Sequence, residues 1–426
     1  MRYTNLSLLA ATVLAAIACT DQSAVAPSSQ LGVAGARVTT PGSGPWARVV
    51  EGETGPGSLY ALYIPRNWNG DAIYYAHGIR PPNDPITLND QDNFFEVRDA
   101  LGGLGYAFAY SSFSENGLSV KDGAQRTHQL RGLLASELPG APERSYAVGY
   151  SLGALVALEL GERHPSQYDG VLAMCGMVGG STPELQYVGD VRALFDFYYP
   201  GVMPGSVISV PSPPLTLDEV KARVIAAITA SPTAIFGLYA IASTAQTPLA
   251  YAPIGSLGNP SSPAFQSLVQ SVITALYYQQ IGTDDVVNRT HGHSPYDNRN
   301  STYTVGTLAI PSPALAPVIT SMIAASNAGV ARYDSPPDAQ NYLDRNYAPS
   351  GNLQIPVVSV HNFWDPLVPF FHEGLLAEAA STAGGSANLL QRQVPNYGHC
   401  NFSTPLVVSS FTTLAEWVKT GTKPAS

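Results

Sequence analysis

Gly149-Tyr150-Ser151-Leu152-Gly153 is the part of this chain best suited to covalent chemistry. It follows a short apolar run, Ser145 to Val148, that reads as a strand, and it precedes a stretch from Ala154 to Arg163 that reads as a helix. Glycines flanking a serine permit a tight strand-to-helix turn that holds the hydroxyl above a sheet edge. A hydroxyl is a weak nucleophile at neutral pH and needs a base. Of the eight histidines, His399 is the best placed, in the polar loop Asn396-Tyr397-Gly398-His399-Cys400-Asn401 between a strand-like run and the last helix. His128 and His164 fall on helix-like stretches and read as structural. The base in turn needs a carboxylate that fixes its tautomer and stabilises its protonated form. Asp365 fits: Ile355 to Val360 reads as a strand, and His361-Asn362-Phe363-Trp364-Asp365-Pro366 as the loop leaving its carboxyl end. Its other reading is a cap on the helix that begins near Phe370. Asp169, before its strand, and Glu373, on a helix, are the rival acids.

Acyl transfer also requires donors for the oxygen that becomes negative. The backbone N–H of Leu152, at the start of the nucleophile helix, supplies one in this reading. The N–H of Ile79, in the loop His77-Gly78-Ile79-Arg80, supplies the second, with His77 supporting that loop. Tyr150, Phe113 and Trp364 adjoin these segments and would line a substrate pocket, or else seal the core beneath it.

The elements that must position these residues follow a strand-helix alternation. Trp46 to Glu53 and Ser58 to Ile64 read as paired entering strands; Asp71 to Ala76, Leu104 to Tyr110 and Gly170 to Met174 read as short buried strands. Phe94 to Leu101 and Gly123 to Leu138 read as helices between them. Short apolar strands alternating with helices indicate an α/β fold with a mostly parallel central sheet. From 186 to about 350 the rhythm changes to helix-like pieces, Val191 to Tyr198, Leu217 to Ala230, Pro263 to Tyr278 and Leu315 to Ala328, separated by Pro- and Gly-rich turns. Strand character returns at Ile355 to Val360 and Leu389 to Val394, before the helix Pro405 to Thr420. The expected organisation is a core formed by 46–185 and 351–426, interrupted by an inserted, mainly helical cap over 186–350 that overhangs Ser151.

The His-Gly turn, the serine elbow, the acid after a strand and the late Gly-His occur in this order along the chain. In that set the sequence resembles the α/β-hydrolase superfamily, over residues 46 to 185 and 351 to 422. More narrowly, Gly398-His399-Cys400-Asn401-Phe402, followed by Leu414 through Gly421, resembles exported bacterial esterase-like hydrolases. The resemblance implies triad roles for Ser151, Asp365 and His399, whose order along the chain is the one the family uses.

The amino end carries Arg2, the apolar run Leu6 to Ala18, and Cys19. About thirteen apolar residues are too few to span a membrane, so 1–19 reads as a secretory signal peptide. Its end resembles a bacterial lipoprotein signal, which implies lipidation of Cys19; plain cleavage is the alternative. Residues 20–45, rich in Ser, Ala, Gly, Pro and Thr, would form a flexible tether. These features place the protein in a bacterial cell envelope, periplasm or extracellular space, with a lipid anchor as one option. Cys175 and Cys400 then meet an oxidising compartment, where a disulfide between them competes with two buried thiols.

With 21 Lys and Arg against 31 Asp and Glu, the net charge is −10, which disfavours nucleic acid as a partner. Cleavage of an uncharged ester, small or polymeric, without a cofactor, is the leading expectation. A peptidase of the same fold is the alternative, with Glu184, Asp190, Asp284 or Asp285 binding an amino terminus. A binding protein on a retained hydrolase scaffold is a third. His291 and His293 with Asp297 give only a weak metal pattern, and no metal site is expected.

Overall fold

A computed structural model describes residues 37–425 except 56, 89–92, 232, 246, 249–253 and 306–312. The expected signal peptide, Cys19 and the tether up to residue 36 lie outside the described residues. Among those described, no helix is long and apolar enough to cross a membrane.

The strands are β1 (Val38–Pro41), β2 (Trp46–Glu53), β3 (Leu59–Pro65), β4 (Asp71–Ala76), β5 (Ala107–Ser111), β6 (Arg144–Tyr150), β7 (Gly170–Met174), β8 (Val357–Trp364) and β9 (Leu389–Tyr397). They form one sheet in the order β1-β2-β3-β5-β4-β6-β7-β8-β9. The pairs β1-β2, β2-β3 and β3-β5 are antiparallel, and every pair from β5-β4 to β8-β9 is parallel. Helices α1 (Phe94–Gly103), α2 (Val120–Glu137) and α3 (Leu152–Arg163) make the crossovers among β4 to β7. Between β7 and β8 the chain forms helices α4 (Ser181–Tyr198), α5 (Leu217–Thr229), α6 (Ile235–Ala245), α7 (Pro263–Arg289), α8 (Ala316–Gly329) and α9 (Pro337–Tyr347). Helix α10 (Phe371–Ala383) then joins β8 to β9, and α11 (Thr404–Thr420) ends the core. This is the α/β-hydrolase fold carrying a helical insertion.

Strand alternation builds two apolar layers. Ile73 and Tyr75 of β4 and Tyr146 and Val148 of β6 pack with Phe94 and Leu101 of α1 and Phe411 and Leu414 of α11. Tyr74, Ala76 and Ala147 face the opposite way, against Leu130 and Leu134 of α2, Leu155 of α3 and Leu376 of α10. The insertion has a third core of its own, with Val191, Phe195, Val220, Leu238, Leu268 and Val272 among its members.

Three expectations change. Residues 38–41, assigned to the tether, form an edge strand, because β-branched Val38, Thr39 and Thr40 pair along β2. The fourth expected strand begins at Ala107, since Leu104 and Gly105 form a turn with Gly105 at φ 91°. Strand β8 runs on through His361 to Trp364, a stretch read as loop, because pairing with β9 continues from His361–Gln393 to Trp364–Tyr397.

The sheet brings the site together at one edge. From β4 the chain crosses to β5 on one side, while from β6 it crosses to β7 on the other, so the carboxyl ends of adjacent β4 and β6 flank a crevice. Ser151 occupies the turn between β6 and α3 at φ 56°, ψ −123°, a strained backbone for a non-glycine residue. Gly149 and Gly153 permit that turn by contact distance: a Cβ on Gly149 would lie 1.9 Å from the Gly153 carbonyl oxygen, and one on Gly153 would lie 2.0 Å from the carbonyl oxygen of Ala76 at the end of β4. Gly153→Ala is therefore expected to destabilise the protein by about 3 kcal/mol or more. Gly132→Ala, in α2 with nothing within 4 Å of the added methyl, is expected to be neutral or to stabilise by up to about 1 kcal/mol. Thermal melts of the two variants check this; equal melting temperatures would contradict the packing argument.

Candidate active site

Ser151, His399 and Asp365 converge at the carboxyl edge of the sheet. Ser151 Oγ lies 2.8 Å from His399 Nε2, and His399 Nδ1 lies 2.8 Å from Asp365 Oδ2. With Nδ1–H donating to the carboxylate, Nε2 presents its lone pair to the serine hydroxyl. Asp365 is fully buried, whereas the His399 side chain is 16% exposed. The other oxygen, Oδ1, accepts from the N–H groups of Leu367 (2.9 Å) and Val368 (3.0 Å), which fixes the carboxylate in its turn. Helix α10 begins six residues later, capped at Phe370, so Asp365 does not cap it.

The His399 loop is held from three directions. Cys400 forms a disulfide with Cys175, which directly follows β7, and the Cys175 N–H donates to the carbonyl oxygen of Val360 in β8. The Asn362 side chain accepts from the N–H of Asn401 and donates to its carbonyl oxygen. The Gly398 N–H donates to the Trp364 carbonyl oxygen. The two strands that lead to Asp365 and His399, β8 and β9, are thus tied to each other and to β7, which adjoins the strand before Ser151.

Behind Asp365 lies a buried group absent from the sequence reading. His361 Nε2 is 2.8 Å from the Val368 carbonyl oxygen and 3.7 Å from Asp365 Oδ2, and its Nδ1 is 3.1 Å from Glu373 Oε1. Both ring nitrogens face oxygen acceptors, an arrangement satisfied by the doubly protonated ring. Burial opposes that charge, but the bond and charge of Glu373, with Asp365 behind them, outweigh it and raise the His361 pKa above its usual value. Glu373, a rival for the catalytic acid, instead accepts from His361, Ser359 and Gln391. On the same helix, His372 Nδ1 accepts from the Gly179 N–H, and Nε2–H donates to Glu184. Burial and the facing His361 charge lower the His372 pKa to about 3. Burial, reinforced by the Asp365 charge, raises the Glu184 pKa well above the usual carboxylate range. Asp169, the other rival, accepts from the Ser145 N–H at the opposite end of β6.

The two residues assigned from sequence as oxyanion donors, Leu152 and Ile79, line the cavity that Ser151 lines. The N–H of Leu152 opens α3 and has no partner within the helix, and Ile79 lines the same cavity as Ser151. His77 is buried between the carbonyl oxygens of Gly78 and Ser112. Burial and the Arg80 charge lower its pKa to about 3, so the neutral ring donates to one of them and braces the loop.

Two cavities meet at the Ser151–His399 pair. The smaller, of about 40 Å³, is walled on the core side by Ile79, Leu118, Leu152 and Met177, and on the insertion side by Leu185 and Val188 of α4. A larger, open one of about 660 Å³ lies over His399, between Asn93, the Tyr397–Phe402 loop and Gln270 and Thr274 of α7. Tyr278 and Leu367 border both. The three aromatic residues expected in the pocket border neither. Tyr150 points into the layer beneath the sheet edge, near Tyr75 and Phe402; Phe113 stacks under His77 at 3.9 Å, fully buried; Trp364 packs edge-on against Phe363. His293 pairs with Asp338, and Asp297 with Arg299, so the weak metal pattern does not converge. Among the described residues, one histidine–cysteine group has ligand spacing, Cys175, His399 and Cys400, and both of its sulfurs are in the disulfide.

No protein-family model matches this sequence, and no curated protein matches it either. Among solved structures, the chain is similar to an esterase from Aspergillus oryzae at 13% identity, over 88% of this chain and 80% of the other, with a TM-score of 0.41. It is also similar to feruloyl esterase B from Aspergillus oryzae at 14% identity, over 92% and 86%, with a TM-score of 0.42. A third similarity is to the rice cell wall degrading esterase LipA from Xanthomonas oryzae, at 14% identity, over 87% and 86%, with a TM-score of 0.38. At such distances the activity has to be read from the site itself.

His361→Gln removes a positive charge beside Asp365 while leaving Glu373 in place. The local field becomes more negative, which favours the protonated base. The acid limb of kcat/KM is expected to move to higher pH, by up to about one unit. A pH-rate profile measures it, and an unmoved limb would reduce His361 to a packing role.

Proposed function

We propose that this protein hydrolyses carboxylic esters through an acyl-enzyme on Ser151. The observation that carries this reading is the continuous Asp365–His399–Ser151 line, with both hydrogen bonds at 2.8 Å. His399 Nε2 takes the serine proton as Oγ bonds to the ester carbonyl carbon, and the carbonyl oxygen becomes negative between the N–H groups of Leu152 and Ile79. Collapse breaks the bond to the alcohol oxygen, which leaves with the proton from His399. Water then gives a proton to His399 and attacks the acyl carbon; the acid departs and Ser151 regains its proton. Asp365 remains a carboxylate throughout and balances the transient imidazolium.

The peptidase reading needs an anionic group for a peptide amino terminus. Glu184 reaches the small cavity, but burial favours its neutral form and it is engaged by His372. Asp190 accepts from Tyr296 and Tyr303, and Asp285 is paired with Arg289. These contacts favour ester over peptide. The disulfide supports an extracytoplasmic setting, because such bonds persist in oxidising compartments.

Assay with p-nitrophenyl acetate and with an aminoacyl p-nitroanilide is expected to show turnover of the ester, lowered about a thousandfold or more by Ser151→Ala. Turnover of the anilide alone would support the peptidase. Failure of an organophosphonate to label Ser151 would point to a binding protein.

A further inference from the structure

The reaction direction assigns the two cavities, if Ser151 acts as proposed above. His399 must hand its proton to the leaving alcohol, so the alcohol departs on the His399 side. The acyl group, whose carbonyl oxygen points at Leu152 and Ile79, must then occupy the cavity those two residues line. That cavity is about 40 Å³ and walled mainly by aliphatic side chains. That is more than tenfold below the other cavity and well under the roughly 300–1,000 Å³ usual for small-molecule sites, so it suits a small acyl group rather than a long chain. The insertion supplies part of its wall, through Leu185 and Val188 of α4 and Tyr278 and Gly282 of α7.

The alcohol side differs in chemistry as well as size. Its cavity of about 660 Å³ lies within the span of roughly 300–1,000 Å³ usual for small-molecule sites. Asn93, Gln270, Thr274 and Asn401 line it with amides and a hydroxyl, Tyr278 and Tyr397 add aromatic faces, and among the described residues that line it none is Lys, Arg, Asp or Glu. A charged alcohol would find no counter-charge among those described residues. Asn93, Gln270 and Asn401 each spend one amide N–H inside the protein, on the Phe402 carbonyl, the Thr274 hydroxyl and the Tyr397 carbonyl, and a purely aliphatic alcohol would leave their remaining polar groups unmatched. A ring bearing several hydroxyl groups satisfies the amides with its hydroxyls and the tyrosines with its C–H faces.

We infer that the substrate is a short apolar acyl ester, acetyl to butyryl, of an uncharged polyhydroxylated alcohol of the saccharide class. Leu185 and Val188 set the acyl limit, and Gln270 and Thr274 read the alcohol.

The experiment is a kinetic panel on the wild-type protein. Along p-nitrophenyl acetate, butyrate and octanoate, kcat/KM is expected to be at least tenfold higher for acetate or butyrate than for octanoate. Glucose pentaacetate is expected to exceed hexyl acetate by at least tenfold. Val188→Ala should raise the octanoate-to-acetate ratio at least fivefold, and Gln270→Ala should lower the glucose pentaacetate-to-p-nitrophenyl acetate ratio at least fivefold; ratios cancel any loss of folded enzyme. Octanoate matching acetate overturns the acyl assignment, and hexyl acetate matching glucose pentaacetate overturns the alcohol assignment. Absence of turnover on every ester, with Ser151 unlabelled by a phosphonate, would instead sink the ester reading on which this inference rests.

Discussion

Two hydrogen bonds in series, from Asp365 to His399 and from His399 to Ser151, join residues 34 and 248 positions apart in the chain. Proton transfer between Ser151 and His399, with Asp365 orienting the imidazole, needs heavy-atom distances near the 2.8 Å seen here, so each residue must be held by something stiffer than a surface loop. Parallel strands give that stiffness, because adjacent strands end together at one edge. The remaining tolerance is removed locally: two backbone N–H groups fix Asp365, the disulfide and Asn362 fix the His399 loop, and the packing of Gly153 against β4 fixes the elbow.

The line is also an electrostatic device set in a buried environment. A carboxylate that is fully buried needs compensation from more than the base it serves. His361 supplies it from behind, and Glu373, Ser359 and Gln391 hold His361 in turn. The insertion joins this network through Glu184 of α4, which His372 of α10 engages. The same helix walls the smaller cavity, so one element both borders that cavity and touches the shell around Asp365.

Much of the site was legible in the sequence because its geometry leaves local marks. Only glycine fits the contacts at 149 and 153, and Pro366 follows the acid at the point where β8 has ended. His361 and Glu373 left no such mark. Their roles depend on β8 extending past Val360, which the long-range register with β9 decides. Tyr150, Phe113 and Trp364 were near the site in sequence but turned away from it, since strand alternation and the φ of 58° at Phe113 set their directions. In the insertion, α7 extends eleven residues beyond the expected Tyr278. Its later turns carry buried Gln279, Thr283 and Asp285, which interrupt the apolar period and whose partners Arg192, Val207 and Leu118 lie in other segments.

The most direct test is a crystal structure of the adduct formed with a small alkyl phosphonate. The expected result is phosphorus bonded to Ser151 Oγ, its oxygen within hydrogen-bonding distance of the Leu152 and Ile79 N–H groups, and His399 still bridging to Asp365. Phosphorus bonded to another residue, or an adduct oxygen pointing away from both N–H groups, would contradict the account.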